Sequence, residues 1–318
     1  MSFLAINEQN FNFSFLSAKT VFIAAVFSGL LMLLSAGSVI VRGLNLGIDF
    51  TGGTLVEIGY GKSIELTLVR SSLEKGGYKD AVVQYFGTDK DVLVRLGVHE
   101  NKTNETLSNE IVTLLQSDGH EVEMRRVEFV GPQVGGELIE SAGLALLYTF
   151  LGILAYVSVR FEKRFALGAV LALVHDVLIT AGVFSVFQLE FDLTVLAALL
   201  AVVGYSLNDT IVVFDRIRDN FLKMRKISTI DVMNISLNQT LIRTIMTSFT
   251  TLLSVLALYF WGGEMIHGFA TALIVGIVVG TYSSIYVASA LALKFGVSKG
   301  DLAPVVKEAE VIEERPYR

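Results

Sequence analysis

The sequence predicts an α-helical membrane protein with six spans and one small α+β domain set between the first two. Three observations carry this expectation. Hydrophobic residues make up 53% of the 318-residue chain and charged residues only 18%, and the mean hydropathy is +0.61, too apolar for a soluble enzyme of that size. Six stretches reach the length of about 20 apolar residues that a helix needs to cross a bilayer core. Between the first two of them, residues 42–140 turn polar and alternate in the manner of strands and amphipathic helices.

The spans are expected at residues 20–41, 141–159, 165–187, 193–214, 244–261 and 266–295, the last long enough for a tilted helix. Residues 1–19 precede them and 296–318 form an acidic tail. Lys and Arg gather in the loops between spans two and three (Arg160, Lys163, Arg164) and between spans four and five (Arg216, Arg218, Lys223, Arg225, Lys226, Arg243). Loops 188–192 and 262–265 have none, so the positive-inside rule puts those loops and segment 42–140 outside and both termini in the cytoplasm. Residues 21–34 followed by Ser35-Ala36-Gly37 also resemble a cleaved signal peptide. Against that reading, the preceding 20 residues carry only Glu8 and Lys19, and losing the span would unbalance the topology.

The net charge of −6 is uneven, with acidic residues dominating between Asp49 and Glu137 and from Glu308 to Glu314. That balance argues against a nucleic-acid partner. The absence of cysteine excludes disulfides and thiolate metal sites, and the four histidines lack zinc-ligand spacing.

The outward segment reads element by element. Residues 55–60 alternate as a strand, and 66–75 have helical spacing and stop at Gly76-Gly77. Residues 81–86 and 91–96 are β-rich runs around the turn 87–90. Residues 104–118 are amphipathic through Leu107, Ile111, Leu114 and Leu115, end at Gly119, and lead into a strand at 122–130. The order is βαββαβ, that of a ferredoxin-like domain. About 80 residues leave room for a docking or lever module and not for a large catalytic cleft. No nucleophile stands near a base, and Gly52-Gly53 precedes a strand, the wrong context for a phosphate loop. A hinge between membrane and domain is the expected use of those glycines.

Ionisable residues inside apolar spans cost about 2.5–3.5 kcal/mol at a helix centre and usually mark an ion or substrate path. Asp176 sits beside His175 in the third span, sharing a face with Ala172 and Thr180. Asp209 lies in the fourth span within Gly204-Tyr205-Ser206-Leu207-Asn208-Asp209-Thr210. Arg243 opens the fifth span, and Thr240, Thr244, Thr247, Ser248, Thr251 and Ser254 continue a polar stripe expected to face the bundle interior. Gly276, Gly280, Ser283 and Ser284 let the sixth helix approach its neighbours closely. These residue types suit proton carriage, because burial disfavours the charged form of a carboxyl and a nearby guanidinium favours it. A carboxylate can equally glue helices, and for Asp176 the two readings stand side by side.

Asp215, Arg216, Arg218 and Asp219 read as an interfacial charge cluster. Segment 215–243 alternates charges with apolar residues, as amphipathic helices lying on the cytoplasmic face would, in contact with membrane lipids or with a partner. Ser228 with Asp231 resembles a capping box restarting a helix.

Four stretches carry a family resemblance. They are Gly47-Ile48-Asp49-Phe50-Thr51-Gly52-Gly53-Thr54, residues 130–138 from Val-Gly-Pro-Gln to Gly-Glu-Leu, residues 204–218 around Asn208-Asp209-Thr210, and residues 280–288 around Tyr282-Ser283-Ser284. With the βαββαβ domain, they make the chain resemble the SecF branch of the SecDF family, in the RND superfamily. The resemblance implies a half unit of RND type in the bacterial inner membrane, its large loop periplasmic. It implies SecD as the other half, the SecYEG channel and YajC as associates, and a preprotein drawn outward at the expense of the proton gradient, with no cofactor. It implies further that Asp209 and Arg243 serve proton transport. Asn208 of the same motif, Thr247 of the polar stripe and Asp176 complete the candidate set.

Three other readings remain at this point. Exporters of drugs or lipids in the same superfamily usually carry two repeats and larger outer domains. An intramembrane aspartyl protease would pair two aspartates, but in Tyr-Asp and Gly-x-Gly-Asp motifs rather than after His175 and Asn208. A scaffold that only assembles an export complex would not depend on Asp209.

Overall fold

A computed structural model describes residues 13–98, 103–117 and 120–297. Residues 1–12, the helix end expected at Gly119 and residues 298–318 of the acidic tail lie outside the described residues.

In chain order the elements begin with α1 (Ala18–Arg42), β1 (Asn45–Leu46), α2 (Ile48–Thr51), β2 (Gly53–Tyr60) and α3 (Leu66–Lys75). There follow β3 (Val82–Phe86), β4 (Thr88–Leu96), α4 (Asn104–Gln116), β5 (Val122–Val130), α5 (Pro132–Arg160) and α6 (Lys163–Phe187). The chain continues with β6 (Glu190–Phe191), α7 (Leu193–Lys223), α8 (Thr229–Trp261) and α9 (His267–Ser283), and a π-helical turn (Ser284–Ala288) leads into α10 (Ser289–Lys294). Among the described residues, six helices are long and apolar enough to cross a membrane, counting Glu264–Lys294 as one.

The small domain between the first two spans is an antiparallel sheet in the order β3-β4-β2-β5, the ferredoxin-like arrangement that the βαββαβ order predicts. One face of the central strands, with Val56, Ile58, Val92 and Val94, is covered by Val69 and Leu73 of α3 and Leu107 and Ile111 of α4. Thr103 caps α4 by accepting the N–H of Thr106 at 3.3 Å. The other face presents Leu55 and Leu93, which close over Ile48 at the root of the domain.

That root is a packed joint and not the expected glycine hinge. Gly52 has φ of +69°, and a Cβ there would stand 2.9 Å from the Cα of Pro132, while a Cβ on Gly135 would stand 2.7 Å from the carbonyl oxygen of Phe50. The glycines are required because the linker and the start of α5 touch backbone to backbone. On its other side the linker pairs with the loop between α6 and α7, β1 running parallel to β6. Arg95 of the sheet donates to the Leu46 carbonyl at 2.7 Å and to Asn45 at 3.0 Å, and Gln84 donates to Glu190 at 3.0 Å.

Within the bundle, α1 packs along α6, with Ser38 and Ser185 hydroxyls 2.8 Å apart. The segment leading into α1 is held by α8, since Asn234 accepts the N–H of Leu16 at 2.9 Å and Asn238 bonds both polar groups of the Phe13 backbone. Helix α5 starts well before the expected residue 141, because Pro132 at its first position suits a helix start.

The segment 215–243 also departs from expectation. Instead of separate helices lying on a surface, α7 runs unbroken to Lys223 and α8 starts at Thr229, with only a short turn between. Ile217, Phe221, Met233 and Leu237 point inward and join Phe165 and Phe214 in one core, so their apolar face is spent within the protein. Polar ties cross the same hairpin: Asn220 donates to Ser236 and Gln239, each at 2.8 Å, and Arg216 to Gln239 at 2.6 Å. Ser228 caps α8, accepting the Asp231 N–H at 3.2 Å. Of the expected charge cluster, Asp215 pairs with Arg160 at 2.7 Å.

Candidate functional site

Two aspartates are buried among the helices. Asp176 on α6 is fully enclosed, and Asp209 on α7 is 2% exposed. Ala172, Asp176 and Thr180 share one buried face, as their four-residue spacing requires.

Asp176 ties three helices together. Its Oδ2 accepts hydrogen bonds from Ser206 of α7 at 2.5 Å and Ser283 of α9 at 2.7 Å, and its Oδ1 lies 2.9 Å from Nδ1 of His175. The seam is narrow because small residues line it. A Cβ on Gly280 would meet the Cβ of Ser206 at 3.0 Å, and one on Gly276 would fall inside the Val202 side chain.

Asp209 sits one helical turn from Ser206 on α7 and has a sparser shell. Ser248 of α8 donates to Oδ2 at 3.4 Å, near the outer limit for a hydrogen bond, and is itself 2.7 Å from Thr281 of α9. The hydroxyls of Thr210 and Thr244 are buried with no hydrogen-bond partner among the described residues. Buried polar groups normally find partners, so these two hydroxyls hold unspent hydrogen-bonding capacity.

The remaining candidates have exposed side chains, and Arg243 lies within electrostatic reach of Asp209 without a direct contact. Arg243, Thr247 and Asn208 are exposed on the bundle surface, and among the described residues no hydrogen bond or ion pair joins Arg243 to Asp209. The polar stripe of α8 divides in the same way. Thr240, Thr244 and Ser248 are buried, while Thr247 and Ser254 are exposed, contrary to a wholly inward stripe. The steps of three and four spread the six residues around more than one face, and the outward hydroxyls satisfy themselves on their own helix: Thr247 on the Arg243 carbonyl, Ser254 on that of Thr250.

Sequence reasoning missed the serine donors to Asp176. Both lie in motif stretches singled out above, Ser206 as part of the motif at residues 204–210 and Ser283 as a small residue.

Beneath the sheet, at the outer ends of α6, α7 and α9, lies a cavity of about 340 Å³ bordered by Asp49, Glu57, Glu128, Glu190, Asp192 and Glu264, with Arg126 and His267. It is an acid-rich space between the sheet and the bundle.

Six long apolar helices enclosing two carboxylates, beside one ferredoxin-like domain, define a multi-pass membrane protein with ionisable groups in its interior. Comparison with known proteins narrows this class. Residues 110–298 match the family model for the protein export membrane protein SecD/SecF, C-terminal, and residues 37–64 match the SecD/SecF GG motif. Protein translocase subunit SecF of Vibrio alginolyticus is 56% identical over 297 residues, covering 92% of this chain and 94% of its own length. The SecF subunit of Pseudomonas aeruginosa is 49% identical over 289 residues, covering 90% and 93%. The crystal structure of SecDF, a translocon-associated membrane protein from Thermus thermophilus, superposes with a TM-score of 0.81 at 42% identity, covering 90% of this chain. This chain spans only 38% of that SecDF chain. The chain belongs to the SecF family of protein translocase subunits.

Proposed function

We propose that this chain is the SecF half of a proton-driven unit that promotes preprotein translocation and release on the outer face of a bacterial inner membrane. Both termini are cytoplasmic in this reading, and the ferredoxin-like domain is periplasmic. SecD supplies the other half, consistent with the length of the solved SecDF relative beyond the part matched here. The SecYEG channel and YajC are its further associates, and no cofactor takes part.

The observation that carries the reading is Asp209, enclosed by apolar helices and, among the described residues, hydrogen-bonded through one long contact from Ser248. A carboxyl in such a place changes charge at a cost set by what stands beside it. Ser248 makes the direct contact in this structure, and Arg243 lies within electrostatic reach with its side chain exposed, as are those of Asn208 and Thr247. A rearrangement that trades one neighbour for the other loads or unloads a proton. The drive is about 2.3 kcal/mol per charge for each 100 mV of membrane potential, enough for modest domain movements. Asp176 is the second carboxyl of the relay, and the acid-rich outer cavity gathers cations above it.

The test is proton-gradient-dependent preprotein export in membranes holding this chain and SecD, with complex assembly checked for each variant. Loss of gradient stimulation in Asp209→Asn and Arg243→Met, with assembly intact, supports the coupling pair. Unchanged export in both sinks it and leaves a scaffold.

A further inference from the structure

His175 is the buried titratable group that this reading leaves without a task. It is 2% exposed, its Nδ1 faces the Asp176 carboxylate at 2.9 Å, and its Nε2 has no hydrogen-bond partner among the described residues. The carboxylate contact assigns the hydrogen to Nδ1. Nε2 then presents an in-plane lone pair in a water-poor interior, and a buried acceptor left without a donor is costly to keep.

The surroundings of the pair are polar but contribute little charge. From α7 come Ser206 and, a turn further, Asp209; from α9 come Ser283 and the Tyr282 ring, whose centroid is 6.5 Å from that of the imidazole. Tyr286 stacks on Tyr282 at 5.2 Å, and the Tyr282 hydroxyl is taken up by α1, at the Ala24 carbonyl and Ser28. The charged residues of α1 and α5 stand toward their ends (Lys19 and Arg42; Glu137, Glu140 and Arg160), and Arg243 of α8 is exposed. Among the described residues, no cation other than His175 itself pairs with Asp176.

We propose that His175 and Asp176 form a second proton-binding site, in which a proton supplied by the gradient binds at Nε2 while Nδ1–H stays on the carboxylate. The inference rests on the proton-carrying reading above. One N–H bond forms and none breaks within the pair, so imidazole becomes imidazolium and the charge of the pair goes from −1 to zero; release reverses the step. The imidazolium draws the carboxylate charge toward Oδ1 and weakens the Oδ2 bonds to Ser206 and Ser283. Those two bonds tie α7 and α9 to α6, so proton binding loosens the seam one turn from Asp209.

The test uses the complete complex with SecD in lipid vesicles, labelled with ¹⁵N-histidine. His175→Asn identifies the His175 resonances by their loss, keeps an amide donor near the Nδ1 position, and cannot take the proton. On lowering the pH from about 8 to about 5, the range in which histidine serves as a switch, Nε2 is expected to pass from the unprotonated to the protonated resonance while Nδ1 stays protonated. His175→Asn is expected to lose gradient stimulation of export. A wild-type Nε2 that stays unprotonated throughout overturns the proposal, and so does a His175→Asn complex that keeps full gradient stimulation. If that variant fails to assemble, the wild-type resonances alone decide. Asp209→Asn, run alongside, separates the two failures. Lost stimulation there with an inert His175 removes only this second site, whereas unaltered export there removes the proton-carrying reading itself.

Discussion

Asp49, at the root of the ferredoxin-like domain, accepts a hydrogen bond at 3.0 Å from the backbone N–H of Leu193, the first residue of the helix that carries Asp209. The first N–H groups of any helix lack partners within it, so a side chain from another part of the fold can supply one. Here the root of the domain and the central helix share a bond, and Asp192 adds a second cap by accepting the Val195 N–H at 2.8 Å. Movement of the domain root and movement of α7 are therefore linked at one point.

Removing that link has a defined cost. Asp49→Ala should lower the stability of the α7 start by about 1 kcal/mol, the usual size of a lost N-terminal cap. Hydrogen exchange at Leu193 and its neighbours should quicken, while exchange in the sheet at Ile58 and Val94 stays as it was.

Arg95 makes a parallel case from the sheet side, with two hydrogen bonds to the β1 linker and Glu190 3.7 Å away. Bonds from charged donors are worth about 1.5–3 kcal/mol, so Arg95→Met should speed exchange at Leu46 and Gly47 by about tenfold or more. Unaltered exchange at those amides would show that the β1–β6 pairing holds the joint without Arg95.

Two adjacent glycines provide an internal control. A Cβ on Gly135 would stand 2.7 Å from the Phe50 carbonyl oxygen, whereas one on Gly136 would meet nothing within 4 Å. Gly135→Ala should destabilise the joint by about 1–3 kcal/mol, as overpacking does. Gly136→Ala should stabilise α5 by up to about 1 kcal/mol through helix propensity. Thermal unfolding of the two purified variants reads both signs.

The seam between α7 and α9 tolerates no added methyl group at Gly276, where a Cβ would fall within the Val202 side chain. Gly276→Ala should cost about 1–3 kcal/mol and spread the two helices. Adding Val202→Ala should recover part of that loss, a coupling that a double-mutant cycle measures directly. Strict additivity of the two changes would mean that the helices do not meet there.

Particular elements show how far the amino-acid order alone reaches. Helix α3 fell on residues 66–75 as its spacing and Gly76-Gly77 predict, and the capped restart at Ser228 appeared where the Ser228–Asp231 spacing placed it. The stretch 215–243 read wrongly because a charged, apolar-alternating helix looks alike whether its apolar face meets lipid or another helix. Only the pairing of α7 with α8 showed Phe221 and Leu237 facing each other's surroundings in one core. The glycines at 52 and 53 were legible as special positions, but whether they bend or pack depends on Pro132 and Phe50, which touch the linker only in the folded chain.

The sequence by itself determined the six spans, the βαββαβ domain and the presence of two carboxyls where hydrocarbon should be. Those are set by local quantities: the length of apolar runs, the period of alternation, and the cost of a charge in an apolar helix. Tertiary structure decided which groups those carboxyls meet. Ser206 and Ser283 close on Asp176, Nε2 of His175 has no hydrogen-bond partner among the described residues, and Arg243 reaches Asp209 through charge rather than through a direct contact. Such choices depend on the rotation of each helix about its axis and on which helices lie side by side. No single span's sequence holds that information, since it arises only when small residues on α7 and α9 let the bundle close.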